Sequence, residues 1–336
     1  MRLKRLMPAA IGALALALAV TFGVPDAGAA GTLKIGRDQD STTLDPIFTI
    51  QNADIWVMNN MNALLVRVNR DATDVEPDLA ESWEISPDGL TYTFHLRDGL
   101  KFSDGSPIKA SDVKFSLERL RDAEGSIMAG MFSVMKSVET PDDRTVVIAL
   151  SQPSAPFLAG LAMFAAAVLP EHAVKEKGEE FGNAPVGAGA FVLEEWKRGE
   201  YLRLKKNPHY WEADRVKLDG VEWIYIPNDN TRILKLQAGE VDAAIFIPFN
   251  RVAELESDPN INVHLDPSSR EDHILINHAH EPLDDVRVRR ALYHAIDRQA
   301  IVDAVTFGYG KVANSFLPAG AMFYNPDNPD YDYDPE

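Results

Sequence analysis

Residues 79–120 read LAESWEISPDGLTYTFHLRDGLKFSDGSPIKASDVKFSLERL. Leu90, Tyr92, Phe94 and Leu96 alternate with Thr91, Thr93, His95 and Arg97, and a period of two marks a strand with one buried face. Ser86-Pro87-Asp88-Gly89 comes just before. Pro presets φ and Gly accepts a positive φ, so the segment predicts a tight turn. Trp83 and Ile85 alternate ahead of the turn and complete a hairpin. Asp98-Gly99 and Asp104-Gly105 then turn the chain twice around Leu100 and Phe102. Ser111 is expected to cap a helix that carries Asp112 in its first turn and Val113, Leu117 and Leu120 on one face. Taken alone, these residues specify an α+β unit with no chemistry of its own.

Their spelling says more. W-x-x-S-x-D-G-x-T-Y-T-F-H-L-R-x-G-x-K-F-x-D-G-x-P, followed by A-x-D-V-x-F-S, closely resembles the signature of the family 5 extracellular solute-binding proteins, the peptide-binding components of bacterial ABC importers. Two further blocks agree. Residues 186–211 are similar to V-G-T-G-P-F…W…N-P-x-Y-W, with Ala188 for Thr and Ala190 for Pro, and residues 283–301 carry L-D-D-V-R-V-R-R-A-L…A-I-D-R-Q-A-I. The resemblance covers nearly everything after the leader. It implies an α/β, two-lobe, periplasmic-binding-protein-like fold (type II, class C-like) with mixed β-sheets. Residues 30–267 would form lobe I, with 71–183 as an inserted α+β subdomain, and 268–336 the hinge and first part of lobe II. Members of the family run on well beyond this length, so the second lobe is expected to be incomplete.

The formal charge is −18. Residues 1–29 read as a secretory signal: Arg2, Lys4 and Arg5, an apolar run over 9–24, and Ala27-Gly28-Ala29 as a small-x-small cleavage site. Their removal takes away three basic residues and Asp26, leaving 30 basic against 50 acidic. A surface that acidic argues against nucleic acid or an anionic membrane as partner. Cysteine is absent, which excludes disulfides, thiolate metal sites and a lipid-acceptor Cys after the leader. A free periplasmic monomer without cofactor is expected.

Along the chain, residues 33–35 predict a strand, and Leu44-Asp45-Pro46 leads through a loop to a helical pattern on Ile55, Met58 and Met61. Residues 145–150 predict another strand, and 191–196 with 201–205 a hairpin around Arg198-Gly199. Val186-Gly187-Ala188-Gly189 lacks the third Gly and the strand–helix setting of a dinucleotide loop. A strand over 221–226, a helix capped by Asp229 or Asn230 and stopped by Gly239, and a returning strand over 241–247 make a βαβ unit and hence a parallel component. A further strand is expected over 261–265, an amphipathic helix on Val288, Ala291, Leu292, Ala295 and Ile296, and a second helix near 300–305.

The end of a returning strand commonly faces a ligand crevice, which nominates Phe246 and Ile247, with core packing as the competing reading. The resemblance nominates others. It places the loop after L-D-P, with Thr49, Gln51 and Asn52, beside the cleft, and an apolar contact near Met128 and Phe132. It puts Arg270 and His273 close to the hinge. Solvated loop and core are the plainer readings of these residues. The implied function is capture of short peptides between two lobes and delivery to the permease subunits of an ABC importer. A metal chelate, haem, sugar or opine on the same scaffold is the alternative. A secreted hydrolase would need a nucleophile and base, and no G-x-S-x-G, H-E-x-x-H or P-loop motif is present. A chaperone or chemoreceptor adaptor would use the same cleft.

Overall fold

The computed structural model describes residues 31–70, 73–266, 271–317, 319, 324–328 and 330–336. The proposed leader and Arg270 lie outside the described residues. Strand β1 (Thr32–Arg37) is followed by helix α1 (Asn52–Met61) and two short strands, β2 (Val66–Val68) and β3 (Val75–Pro77). The hairpin read from alternation is β4 (Ala80–Ile85) with β5 (Thr91–Leu96), Trp83 facing Phe94 across the pair. Gly89 takes φ +69° at its turn, a geometry open to a residue without Cβ. Helices α2 (Ala110–Asp122) and α3 (Ala129–Phe132) lead to β6 (Met135–Glu139) and β7 (Thr145–Leu150), closing an antiparallel sheet ordered β4-β5-β7-β6. Tyr92, Phe94 and Leu96 share one buried cluster with Val113, Leu117 and Leu120, so α2 covers the apolar face of that sheet.

The chain returns through α4 (Phe157–Gly160) and α5 (Glu171–Lys177) to β8 (Phe191–Lys197), β9 (Tyr201–Lys206) and β10 (Gly220–Tyr225). Helix α6 (Asp229–Gln237) then precedes β11 (Ala243–Ala244). These strands form a second sheet, ordered β11-β1-β10-β9-β8, in which β1 runs parallel to both β10 and β11. The β10-α6-β11 crossover passes over β1, which supplies the expected parallel component. Val57, Met58 and Met61 of α1 pack with Leu202, Leu204, Val221 and Trp223 of this sheet. Gly187 and Gly189 permit that packing. A Cβ on Gly187 would sit 2.2 Å from the Met61 carbonyl oxygen, and the Gly189 N–H donates to the same oxygen at 2.8 Å. The glycine pair therefore closes the end of α1.

Helices α7 (Val252–Glu256), α8 (Val286–Ala295) and α9 (Arg298–Thr306) complete the described elements. No helix among the described residues is long and apolar enough to cross a membrane.

Four local expectations fail. Lys109, not Ser111, occupies the N-cap of α2, and its backbone N–H donates to Asp112 at 2.9 Å. Asn228 caps α6, accepting the Thr231 N–H at 2.9 Å, while Asp229 turns to Arg232. The strand expected over 241–247 shrinks to Ala243–Ala244, and just beyond it Phe246 adopts φ 54°. Residues 261–265 form no strand.

Candidate functional site

Arg37, the last residue of β1, bonds to the Ala53 carbonyl, and Phe246, just after β11, meets Trp56, so both strands end against α1. Phe48 and Ile50 stand on the loop before α1, Ile127 and Met131 on the segment around α3, and Phe246 after β11. The two loops are joined where the Ile127 N–H donates to the Ile47 carbonyl at 2.9 Å. Arg119 holds the same loop from α2 with a bidentate pair to Asp45, at 2.9 and 2.5 Å, and its guanidinium lies 5.4 Å from the Phe48 ring centre. Such fork-to-fork pairing fixes orientation as well as distance. On the sheet side, Trp56 stacks on Trp223 at 6.4 Å, and Phe246 meets Trp56 at 5.4 Å.

Buried charge makes this lip rigid. Asp54 accepts the Thr42 N–H (2.7 Å) and the hydroxyls of Thr42 (2.7 Å) and Thr49 (2.6 Å), tying both flanks of the loop to α1. Arg37, at the end of β1, donates to the Ala53 carbonyl at 2.7 Å and to Ser41 at 3.1 Å. Burial pushes its guanidinium below the ordinary range, against the pull of Asp40, Asp54 and Asp38. Arg232 is wholly buried in α6. It donates to the carbonyls of Ile226 (2.7 Å), Ile245 (3.0 Å) and Phe246 (2.7 Å) and pairs with Asp229 at 2.6 Å. That clamp holds the left-handed backbone of Phe246, a conformation that costs a non-glycine residue of order 1–3 kcal/mol.

The nine nominated residues separate. Gln51 and Asn52 are exposed where α1 begins, Phe246 is half in solvent, and Ile247 is half-buried beside it. Met128 is half-buried against the large apolar cluster. Two turn inward. Thr49 is buried and its hydroxyl is committed to Asp54, so it shapes the loop. Phe132 is 1% exposed and packs edge-on against Phe157 at 6.4 Å, as a core side chain does. His273 is exposed, with its ring 5.5 Å from that of Phe316. Among the described residues no group of three or more His, Asp or Glu is placed to hold a metal ion. The residues missed in the sequence are Asp54, Arg37 and Arg232, buried charges, and the half-buried Trp56, whose placement no local pattern announces. Together the lip offers apolar contacts and main-chain groups on a fixed frame, an arrangement suited to holding a solute.

The sequence profile of the bacterial extracellular solute-binding proteins, family 5 Middle, matches residues 74–336. The probable D,D-dipeptide-binding periplasmic protein DdpA of Escherichia coli (strain K12) is 36% identical over 331 residues, covering 96% of this chain and 64% of that protein. The ABC transporter-associated periplasmic binding protein DppA from Helicobacter pylori, solved with peptide STSA, matches with a TM-score of 0.82 at 31% identity, over 91% of this chain and 64% of that one. The oligopeptide-binding protein AppA from Bacillus subtilis, solved with a nonapeptide, gives 0.83 at 28% identity, over 91% and 62%. The chain thus spans under two thirds of the length of these relatives, and its α/β architecture with a mixed sheet is theirs. It belongs to the bacterial extracellular solute-binding proteins of family 5.

Proposed function

We propose that this chain belongs to a periplasmic peptide-binding protein that captures short peptides in an interlobe cleft and passes them to the permease subunits of an ABC importer. The exposed lip of Phe48, Ile50, Ile127, Met131 and Phe246 over a buried polar frame carries the reading. It lies where an extended ligand would meet one lobe, and two relatives were solved with peptides bound. Residues 30–267 are assigned to lobe I, with 71–183 inserted, and 268–336 to the hinge and the start of lobe II. Gln51, Asn52, Met128, Phe246 and Ile247 would then face the ligand from lobe I, with Arg270 and His273 approaching from the hinge. Thr49 and Phe132 support from behind. Closure of two lobes shifts the open–closed equilibrium by the ligand's differential affinity for the two states. The protein binds its peptide without cutting it, acts as a monomer, and reaches the periplasm by cleavage after Ala29, unlipidated for want of Cys.

Deleting the gene and measuring uptake of labelled tetrapeptides tests the reading. Uptake should fall while uptake of unrelated amino acids persists, and peptides incubated with the purified protein should be recovered intact. Unchanged peptide uptake, or cleavage products, would overturn it. N-terminal sequencing of the exported protein tests the leader: Ala30 as first residue is expected, and an intact Met1 would refute it.

A further inference from the structure

At the end of α1 away from the aromatic lip, a cavity of about 300 Å³ opens between α1, β2 and the segment carrying Tyr210. The lip meets α1 as far as Trp56, and the cavity touches the helix from Met58 onward. The polar side of the cavity is built around Asp78, which is buried. Its Oδ2 accepts the Leu64 N–H at 2.8 Å, its Oδ1 accepts the Trp211 indole N–H at 3.2 Å, and Arg67 Nη1 stands off at 4.0 Å. Arg67 is committed elsewhere. Its Nε donates to Glu76 at 2.7 Å and its terminal nitrogens to Glu212 at 2.6 and 3.4 Å. Two carboxylates therefore already match that guanidinium, and Asp78 is left weakly compensated. Burial accordingly pushes the Asp78 carboxyl above its ordinary range, against the hydrogen bonds it receives.

The remaining polar lining is Asn59, Asn62, Tyr210 and Arg67, the last with its charge matched by Glu76 and Glu212. Asn59 and Asn62 each bring an amide side chain to the lining. Tyr210 directs its hydroxyl proton toward Glu212 at 3.4 Å, leaving its oxygen free to accept. Met58, Leu64 and Phe164 supply an apolar wall. A primary ammonium has three donors and no acceptor, which suits this lining, and an alkyl chain suits the wall. Aromatic faces such as that of Phe164 also favour a cation. The volume lies at the small end of ligand sites. An anion would meet the weakly compensated Asp78 carboxylate.

We propose that this cavity is a second binding site, separate from the aromatic lip, that takes the ammonium end of a small alkylamine on Asp78. The test is calorimetric or NMR titration of the purified protein with n-butylammonium, 1-butanol and butyrate. The amine should bind saturably and at least ~10-fold tighter than the isosteric alcohol or the acid, as a charge-assisted contact requires. Asp78→Asn should weaken it by at least the same factor. Because Asp78 also serves Leu64 and Trp211, that variant can lose its fold. Ala162→Leu fills the cavity from a wall that touches none of those bonds, and it should abolish amine binding with the near-UV circular dichroism kept. Phe246→Ala, which alters the lip and no residue of the cavity lining, should bind the amine as the parent does. The proposal fails if the amine shows no saturation below about 50 mM, if the alcohol binds equally well, if a folded Ala162→Leu retains parental affinity, or if Phe246→Ala loses it.

Discussion

Phe94 is fully buried between β4 and β7, whereas Thr93 beside it points to the opposite face and is partly in solvent. Phe94→Ala removes a large core side chain and should cost ~3–5 kcal/mol of stability. Thr93→Ala should stay within ~0.5 kcal/mol. Urea midpoints of the two variants decide the matter, and equal shifts would mean the faces are wrongly assigned. A second case is Arg232, where one side chain satisfies three carbonyls. Arg232→Met keeps the bulk but leaves those carbonyls unpaired, which should cost about 1–3 kcal/mol for each one left buried. It should also free Phe246 from its left-handed turn. Trp56 fluorescence reports this, since the Phe246 ring lies 5.4 Å from Trp56. An unchanged spectrum in a folded Arg232→Met protein would show that the clamp does not set the lip.

At the scale of elements, β2, β3 and the turn from Tyr210 to Glu212 meet around carboxylates that titrate in opposite senses. Burial raises Asp78. Burial also works to raise Glu212, but hydrogen bonds from Arg67 and Arg215 outweigh it and hold that carboxyl below its ordinary range. Tyr210, pushed up to about 12 chiefly by burial, keeps its proton throughout. The charged form of Asp78 costs stability above its raised folded pKa, and the cost is relieved as pH falls toward the ordinary value of 3.8. Glu212 contributes fully above its ordinary 4.5 and loses that contribution as pH drops through its lower folded value. Between about pH 7 and 4, wild type should therefore gain stability relative to Asp78→Asn. Glu212→Gln should be the less stable protein at neutral pH, with its deficit shrinking only below about 4.5. Gaps that ignore pH would exclude this account. The hairpin β4–β5 and helix α2 were legible in the sequence because alternation and helical spacing are local. The buried arginines, the φ 54° at Phe246 and the cap on Lys109 were not. Each depends on a partner or strain set elsewhere in the chain, as Arg232 depends on carbonyls 13 and 14 residues away. The glycine pair at 187 and 189 was conspicuous, but its reason, the Met61 carbonyl, lies over a hundred residues earlier. For the candidate site, the loop before α1 and Phe246 could be named from sequence, while the frame that positions them could not.

Across the whole molecule, the fully buried hydrophobic side chains among the described residues all lie at or before Leu255. Helices α8 and α9 bury none. Val286, Leu292, Tyr293, Ile301 and Val305 stand in solvent, and the stacking of Phe249 on Tyr309 at 5.8 Å ties this segment to what precedes it. Leaving a large apolar side chain exposed forgoes roughly 1.5–3 kcal/mol relative to burying it. Cooperative stability should therefore reside in the two sheets and their helices, with residues 271–336 adding little. Native-state hydrogen exchange should show α8 and α9 exchanging well before β1, β9 and β10, and ending the chain at Asp266 should leave the urea midpoint nearly unchanged. Peptide binding should behave differently, because a closing cleft needs two faces. The chain spans 64% of the H. pylori relative solved with a peptide. A version extended to that length should bind a tetrapeptide mixture at least ~100-fold tighter than this chain, a difference of ~2.7 kcal/mol. Titration calorimetry on both proteins measures it. Equal affinities would place the whole site on the lip around α1 and remove lobe closure from the mechanism.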